Sequence, residues 1–183
     1  VLACAAGGPF GSVSRLLMTL GCGRLKAAGG RLTTRGWPLG RGGPVSVALE
    51  GGAVVCGAAV QWLRDELSII KTAPEIEALA ETVESSGGVE FVPALAGLGA
   101  PHWDPEARGT ICGLTRGSGR GHIARATLDA MALQNADILN LMESEAGKRM
   151  KALRVDGGAA ANNLLMPLQA HYLGRKIIRP PVI

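Results

Sequence analysis

The stretch ALRVDGGAAANNLLMPLQAHYLGRKIIR, residues 152–179, decides the fold class. A β-type run from Ala152 to Asp156 meets Gly157-Gly158, then a helical run from Asn162 to Tyr172, then a short second β-type run from Lys176 to Arg179 before Pro180-Pro181. Strand, glycine turn, helix and strand form the repeating unit of α/β folds. Glycines in such a turn let a ligand reach the backbone, and the following helix offers unpaired N–H groups to phosphate or ribose. The Asp156-Gly157-Gly158 turn is neither G-x-G-x-x-G nor a Walker A loop. Similar turns are common in proteins that bind nothing there, so spacing alone leaves both readings open.

Upstream lies the longest helical pattern, His122 to about Ala146, closed by Gly147; its apolar residues fall on more than one face, which predicts burial. Val89 to Val92 and Thr110 to Leu114 read as strands around an irregular loop from Pro93 to Pro105. Thr72-Ala73-Pro74-Glu75 predicts a helix start with Thr72 as N-cap and Glu75 at N3, followed by Ile76, Leu79, Ala80 and Val83 at helical spacing and ended by Gly87-Gly88. Gly51 to Asp65 reads as a buried helix. Earlier still, the β-type runs Leu16 to Leu20, Arg31 to Arg35 and Val45 to Leu49 alternate with glycine-rich turns, which predicts a three-stranded antiparallel meander. Strands first, then strands alternating with helices, give a βββαβα order with one closing strand. That order suits an α/β domain with a mixed sheet and packed helices.

Composition narrows the function classes. With 183 residues and 47% apolar content the chain can bury a core without disulfide or metal staples. Aromatic residues are 3%, too few for a base-stacking platform. The six cations of residues 1–45 (Arg15, Arg24, Lys26, Arg31, Arg35, Arg41) face no acid in that segment, against 13 basic and 15 acidic residues beyond it. They are scattered among glycines without a recognition motif, so no nucleic-acid partner is expected. The least polar internal stretch, Gly51 to Val60, is far shorter than the roughly 20 residues that span a bilayer, so no membrane helix is expected. No basic segment precedes the apolar start, and a cytoplasmic protein is expected. Cys4, Cys22, Cys56 and Cys112 form no C-x-x-C pair and no histidine adjoins them, which reads as buried reduced thiols and no metal site.

Two further groups are candidates for chemistry. Gly57 and Gln61 stand four apart and share one helical face, where a bare backbone and an amide can meet one ligand, although the same pattern more often serves simple helix packing. Asp104 and Glu106 flank Pro105 beside His102, a candidate acid/base group, although a charged loop of this kind usually has no such role.

Longer runs carry a resemblance. VALEGGAVVCGAAVQWLRD (47–65), FVP (91–93), GLGAPHWDPEARG (97–109) and LRVDGGAAANN (153–163) resemble the FGGY carbohydrate kinases, within them the glycerol kinases. The run from Gly109 to Asp129, with Gly113-Leu114, His122-Ile123 and Ala126 to Asp129, fits the second sequence pattern of that family. The resemblance extends over about residues 10 to 180.

It implies an actin-like ATPase, ribonuclease H-like domain, the second of two domains that close on glycerol and Mg-ATP. It implies ATP and Mg²⁺ as cofactors, glycerol as substrate in the full-length protein, transfer of the γ-phosphate to give sn-glycerol 3-phosphate, and a homo-oligomer. By position, Gly57 and Gln61 belong to the nucleotide site, Gly158 and Asn162 hold the adenosine end, and Ser12 of Phe10-Gly11-Ser12-Val13 stands where the family has the threonine of a phosphate turn. Val13, Arg15, His102, Ala136 and Pro167 depart from the family pattern. Residues 1–45 read as divergent, basic, glycine-rich strands and 46–183 as the rest of one domain, truncated at both ends. No catalytic residue is assigned within it, because in the family the catalytic Asp and the glycerol-binding groups precede this region. The isolated chain is therefore expected to be inactive. A non-catalytic nucleotide-binding or actin-like interaction module is the alternative reading.

Overall fold

The structure is a computed structural model that describes residues 3–5, 14–22, 33–38, 45–147 and 149–181, with side chains from residue 50 onward within those ranges. In chain order the elements are β1 (Ala3–Ala5), β2 (Ser14–Cys22), β3 (Thr33–Pro38), β4 (Val45–Ala53), α1 (Gly57–Asp65), α2 (Glu75–Ala80), β5 (Glu90–Val92), β6 (Thr110–Cys112), α3 (Arg120–Ala146), β7 (Ala152–Val155), a 3₁₀ turn (Gly158–Ala161), α4 (Leu165–Leu173) and β8 (Lys176–Ile178).

Six strands make one mixed sheet in the order β3-β4-β2-β1-β7-β8, and β5 pairs with β6 in a separate antiparallel ribbon. The parallel part is the βαβ unit of β7, α4 and β8: β7 and β8 run parallel, with Leu153 opposite Ile177. The antiparallel part corrects the expected meander. Strand β2 pairs with β4, from Ser14 opposite Ala53 to Cys22 opposite Ser46, and β3 lies outside β4. Pro38 and Gly36 suit β3 to an edge, since proline removes a ladder donor and glycine weakens a central strand. The apolar Val45–Ala53 run takes the interior place. The expected helix from Gly51 is also corrected, because Gly51 to Ala53 finish β4 and α1 begins only at Gly57.

Helix α3 is the central packing element. Buried alanines (Ala124, Ala126, Ala130, Ala132, Ala136) alternate with Leu128, Met131, Ile138, Leu139 and Met142, so both the sheet and the neighbouring helices come close. At its start, a Cβ on Gly121 would stand 2.5 Å from the Thr82 hydroxyl and 3.1 Å from the Leu79 carbonyl oxygen. At its end Gly147 adopts the left-handed conformation with φ 60°. Glu143 then fastens α3 to the last βαβ unit: it lies 3.2 Å from Arg175 with both side chains largely buried, and accepts the Met150 N–H at 2.7 Å. Among the described residues no helix is long and apolar enough to cross a membrane.

Two helix starts differ from their sequence signals. At α2 the Thr72 side chain is not the N-cap; its hydroxyl donates to Glu75 Oε1 at 3.0 Å while the Lys71 N–H donates to Oε2 at 2.9 Å. Pro74 holds the N-cap position. These donors keep the Glu75 carboxyl below its ordinary range, the Lys71 N–H contributing most. At α4 the helix proper begins at Leu165 rather than Asn162. Cys56 is buried as expected, but Cys112 is exposed, because β6 has only β5 as a partner and alternate residues face out.

Asn162 Oδ1 accepts the N–H groups of Leu164 and Leu165 at 3.0 and 2.7 Å, and the Met166 N–H reaches the Asn162 carbonyl at 3.4 Å. In α4, which begins at Leu165, Pro167 is the third residue and lies in the first turn, where a backbone N–H has no intrahelical partner to lose. The penalty of about 3 kcal/mol for proline in a helix interior is therefore not incurred in full. Pro167→Gln is expected to stabilise the fold by well under about 3 kcal/mol, a rise of a few degrees in melting midpoint at this size. Thermal melts of both forms in one buffer check it, and an unchanged or lower midpoint refutes it.

Candidate functional site

A hollow of about 430 Å³ opens where α1, α2, α3 and the turn after β7 meet, within the size range of small-molecule sites. Helix α1 is fixed from behind. Ala59 and Leu63 are buried, and the Trp62 ring stacks on Phe91 with centroids 5.7 Å apart. The face left over carries Gly57, Gln61 and Arg64 into the hollow. No side chain caps the N-terminus of α1. A Cβ built on Gly57 meets nothing within 4 Å, so this wall is bare backbone beside open space.

The opposite wall is the Asp156-Gly157-Gly158 turn. Gly157 has φ 87° and ψ 172°, a region that side chains disfavour, and its N–H donates to Asp156 Oδ1 at 2.7 Å. Gly158 plays a different part, because its φ is unstrained and an added Cβ meets no protein atom within 4 Å. Gly157 sets the shape of the turn and Gly158 leaves it open. Asn162 completes this wall. Its Oδ1 is engaged by the α4 cap, so its remaining polar group is the Nδ2 donor. The floor is apolar, formed by Val60, Ile76, Leu128, Met131 and Leu165.

The structure thus brings Gly57, Gln61, Gly158 and Asn162 around one hollow. Ser12, the fifth candidate, lies outside the described residues. Sequence reading missed Arg64 and Glu77, which also line the hollow. Arg64 was one further turn along the Gly57-Gln61 face and could have been found by that period; Glu77 gave no signal, because nothing local places α2 against residues 158–165.

Asp104, Glu106 and His102 have separate surroundings in the structure. Asp104 Oδ1 accepts the N–H groups of Glu106 and Ala107 at 2.9 and 3.1 Å, which shapes the loop, and Glu106 faces Arg108 on the open surface at 3.6 Å. His102 instead lines a second, smaller hollow of about 210 Å³ between β4, β5 and α3. Among the described residues no three His, Cys, Asp or Glu side chains gather as a metal site would require.

Residues 14–182 match the FGGY family of carbohydrate kinases, C-terminal domain. A glycerol kinase of Bdellovibrio bacteriovorus is 60% identical over 171 residues, which cover 93% of this chain and 34% of that protein. One from Myxococcus xanthus is 51% identical over the same coverage. The chain therefore spans about a third of the length of the curated relatives it matches. Among solved structures, Plasmodium falciparum glycerol kinase with ADP superposes with a TM-score of 0.86 at 30% identity, over 97% of this chain and 34% of that one. A xylulose kinase from Brucella ovis shares the fold, with a TM-score of 0.82 at 23% identity over 98% of this chain and 36% of that one. An actin-like ATPase fold with this much sequence in common leaves one assignment: the chain belongs to the FGGY family of carbohydrate kinases, in the region of its C-terminal domain.

Proposed function

We propose that this chain is the nucleotide-binding part of an ATP-dependent glycerol kinase, which transfers the γ-phosphate of ATP to glycerol and forms sn-glycerol 3-phosphate. The observation that carries the reading is the convergence of Gly57, Gln61, Gly158 and Asn162, residues distant in sequence, on one hollow. The walls suit a nucleotide. Bare backbone at Gly57 and Gly158 admits a flat or charged group closely, the apolar floor suits a base, and Gln61 and Asn162 supply amide groups. The α1 N-terminus at Gly57 favours negative charge.

ATP supplies the transferable phosphoryl group, and Mg²⁺, which binds mainly through substrate phosphates with few protein carboxylates, neutralises its charge. On this reading Gly57 and Gln61 orient the nucleotide from one side and Gly158 and Asn162 from the other. The glycerol pocket and the base that takes the hydroxyl proton belong to the part of the kinase outside this chain. The whole kinase would be a cytoplasmic homo-oligomer.

Calorimetric titration with Mg-ATP tests the reading: saturable binding is expected, and no heat up to millimolar nucleotide rejects it. A second result follows from the division of labour. Phosphoryl transfer depends on holding the acceptor hydroxyl in line with the phosphate, so the isolated chain is expected to show no glycerol-dependent ADP release. Turnover above a no-enzyme blank, in a preparation free of host kinase, contradicts it.

A further inference from the structure

Two walls of the hollow come from segments 86 residues apart, α2 and the start of α4, and one side chain joins them. Glu77 Oε2 accepts the backbone N–H of Asn163 at 3.0 Å, and Oε1 accepts Asn163 Nδ2 at 3.1 Å. Asn163 Oδ1 accepts in turn from Arg179 at 2.9 Å, and the same guanidinium nitrogen donates to the Ala160 carbonyl at 3.3 Å. Cation, amide and carboxylate stand in an order in which every donor meets an acceptor. The amide must point its oxygen at Arg179, and so its nitrogen at Glu77.

The grip falls on one peptide plane. The N–H held by Glu77 belongs to the peptide between Asn162 and Asn163, and the carbonyl of that peptide accepts the Met166 N–H. A peptide unit is planar, so holding both its polar ends fixes its orientation, and with it the direction in which the Asn162 side chain leaves the backbone. Asn162 lines the hollow from that fixed point.

We propose that Glu77 is a positioning residue: by gripping the Asn162–Asn163 peptide it sets the Gly158–Asn162 wall against α2 and so fixes the width of the hollow. Where the ligand is concerned, this rests on the nucleotide reading above. Glu77 lines the hollow and both its oxygens hold Asn163, and on this proposal it acts through Asn163.

The test compares the full chain with Glu77→Ala and the near-isosteric Glu77→Gln, well below their melting midpoints. Hydrogen–deuterium exchange is followed without nucleotide, and the affinities for Mg-ATP and Mg-2′-deoxy-ATP are measured by calorimetry. Glu77→Ala is expected to speed exchange over residues 158–165 about tenfold while the 126–142 core of α3 stays protected, and to weaken both nucleotides about tenfold alike. Glu77→Gln keeps an acceptor for the Asn163 N–H but offers a second donor to Asn163 Nδ2, so it should fall between, and it carries the test if the alanine form does not fold. A purely stabilising role would lower the melting midpoint and leave the affinity of the folded protein unchanged, which overturns the proposal. Unchanged exchange over 158–165 overturns it as well. A loss confined to ATP, sparing the 2′-deoxy form, would make Glu77 a direct ribose ligand and overturn it too. Failure of the unaltered chain to bind either nucleotide rejects the nucleotide reading, and the exchange data then decide the grip alone.

Discussion

Gly113→Ala is expected to destabilise the protein more than any other single-methyl addition to the described glycines. Gly113 follows β6 with φ +76°, and a Cβ there would stand 1.9 Å from the Gly88 carbonyl oxygen and 2.9 Å from its carbon. Both are backbone atoms of the turn that opens β5, so no side-chain rotation relieves the overlap. A left-handed conformation costs a non-glycine residue about 1–2 kcal/mol, and overpacking adds about 1–3 kcal/mol. The sum of about 2–5 kcal/mol is a large share of a typical stability of 5–15 kcal/mol. The melting midpoint is expected to fall by roughly 10 °C, at about 2–4 °C per kcal/mol for this size. Gly117→Ala is the control, because its Cβ would meet only the Thr115 hydroxyl at an ordinary 3.7 Å. Similar midpoints for the two variants would show that the β5–β6 ribbon yields and that the close approach is not binding on the fold.

Gly158→Val is expected to do the opposite: leave stability near that of the parent and remove nucleotide binding. Its φ lies outside the left-handed range and an added Cβ meets no protein atom within 4 Å, so the branched side chain enters the hollow rather than the core. Its volume would compete with any ligand lying against the turn. Affinity for Mg-ATP should fall at least tenfold, about 1.4 kcal/mol. Calorimetric titration with parallel thermal melts separates the two quantities. Equal affinities would mean that the turn is only structural, and a collapsed midpoint would mean that the apparent room at Gly158 is taken up on folding. Gly157→Val, by contrast, should destabilise, because the φ of 87° at that position strains any side chain.

What the sequence disclosed follows the range of the forces involved. The Ala152–Ile178 unit was legible because local signals bound each piece: apolar residues for β7, Gly157-Gly158 for the turn, a helical run after Asn162 and a short β-type run before Pro180-Pro181 for β8. The Gly57-Gln61 pair was legible by helical period. Pairing among β2, β3 and β4 was not, since each run looks alike locally and only competition for the interior places β4 in the middle. The α2 wall was hidden for the same reason. Glu77 and Asn163 meet by tertiary packing, and neither neighbourhood announces the other. The Thr72 signal misled because the Glu75 carboxylate was taken by the Lys71 N–H, one residue earlier than a capping box requires.

The sheet order has a consequence for how the protein assembles in time. Among the described strands, the antiparallel set β3-β4-β2 and the parallel pair β7-β8 meet through β1 alone. That strand pairs Cys4 with Leu16 on one side and with Val155 on the other. The first contact is local, while the second closes a loop of roughly 150 residues, for which chain entropy opposes closure by about 4–5 kcal/mol. Three residues cannot offset that before the flanking units exist, so β1 to β7 should be a late contact in folding. Each half would first form around its own stretch of α3, and the seam between them would set the rate at which the whole domain becomes cooperative.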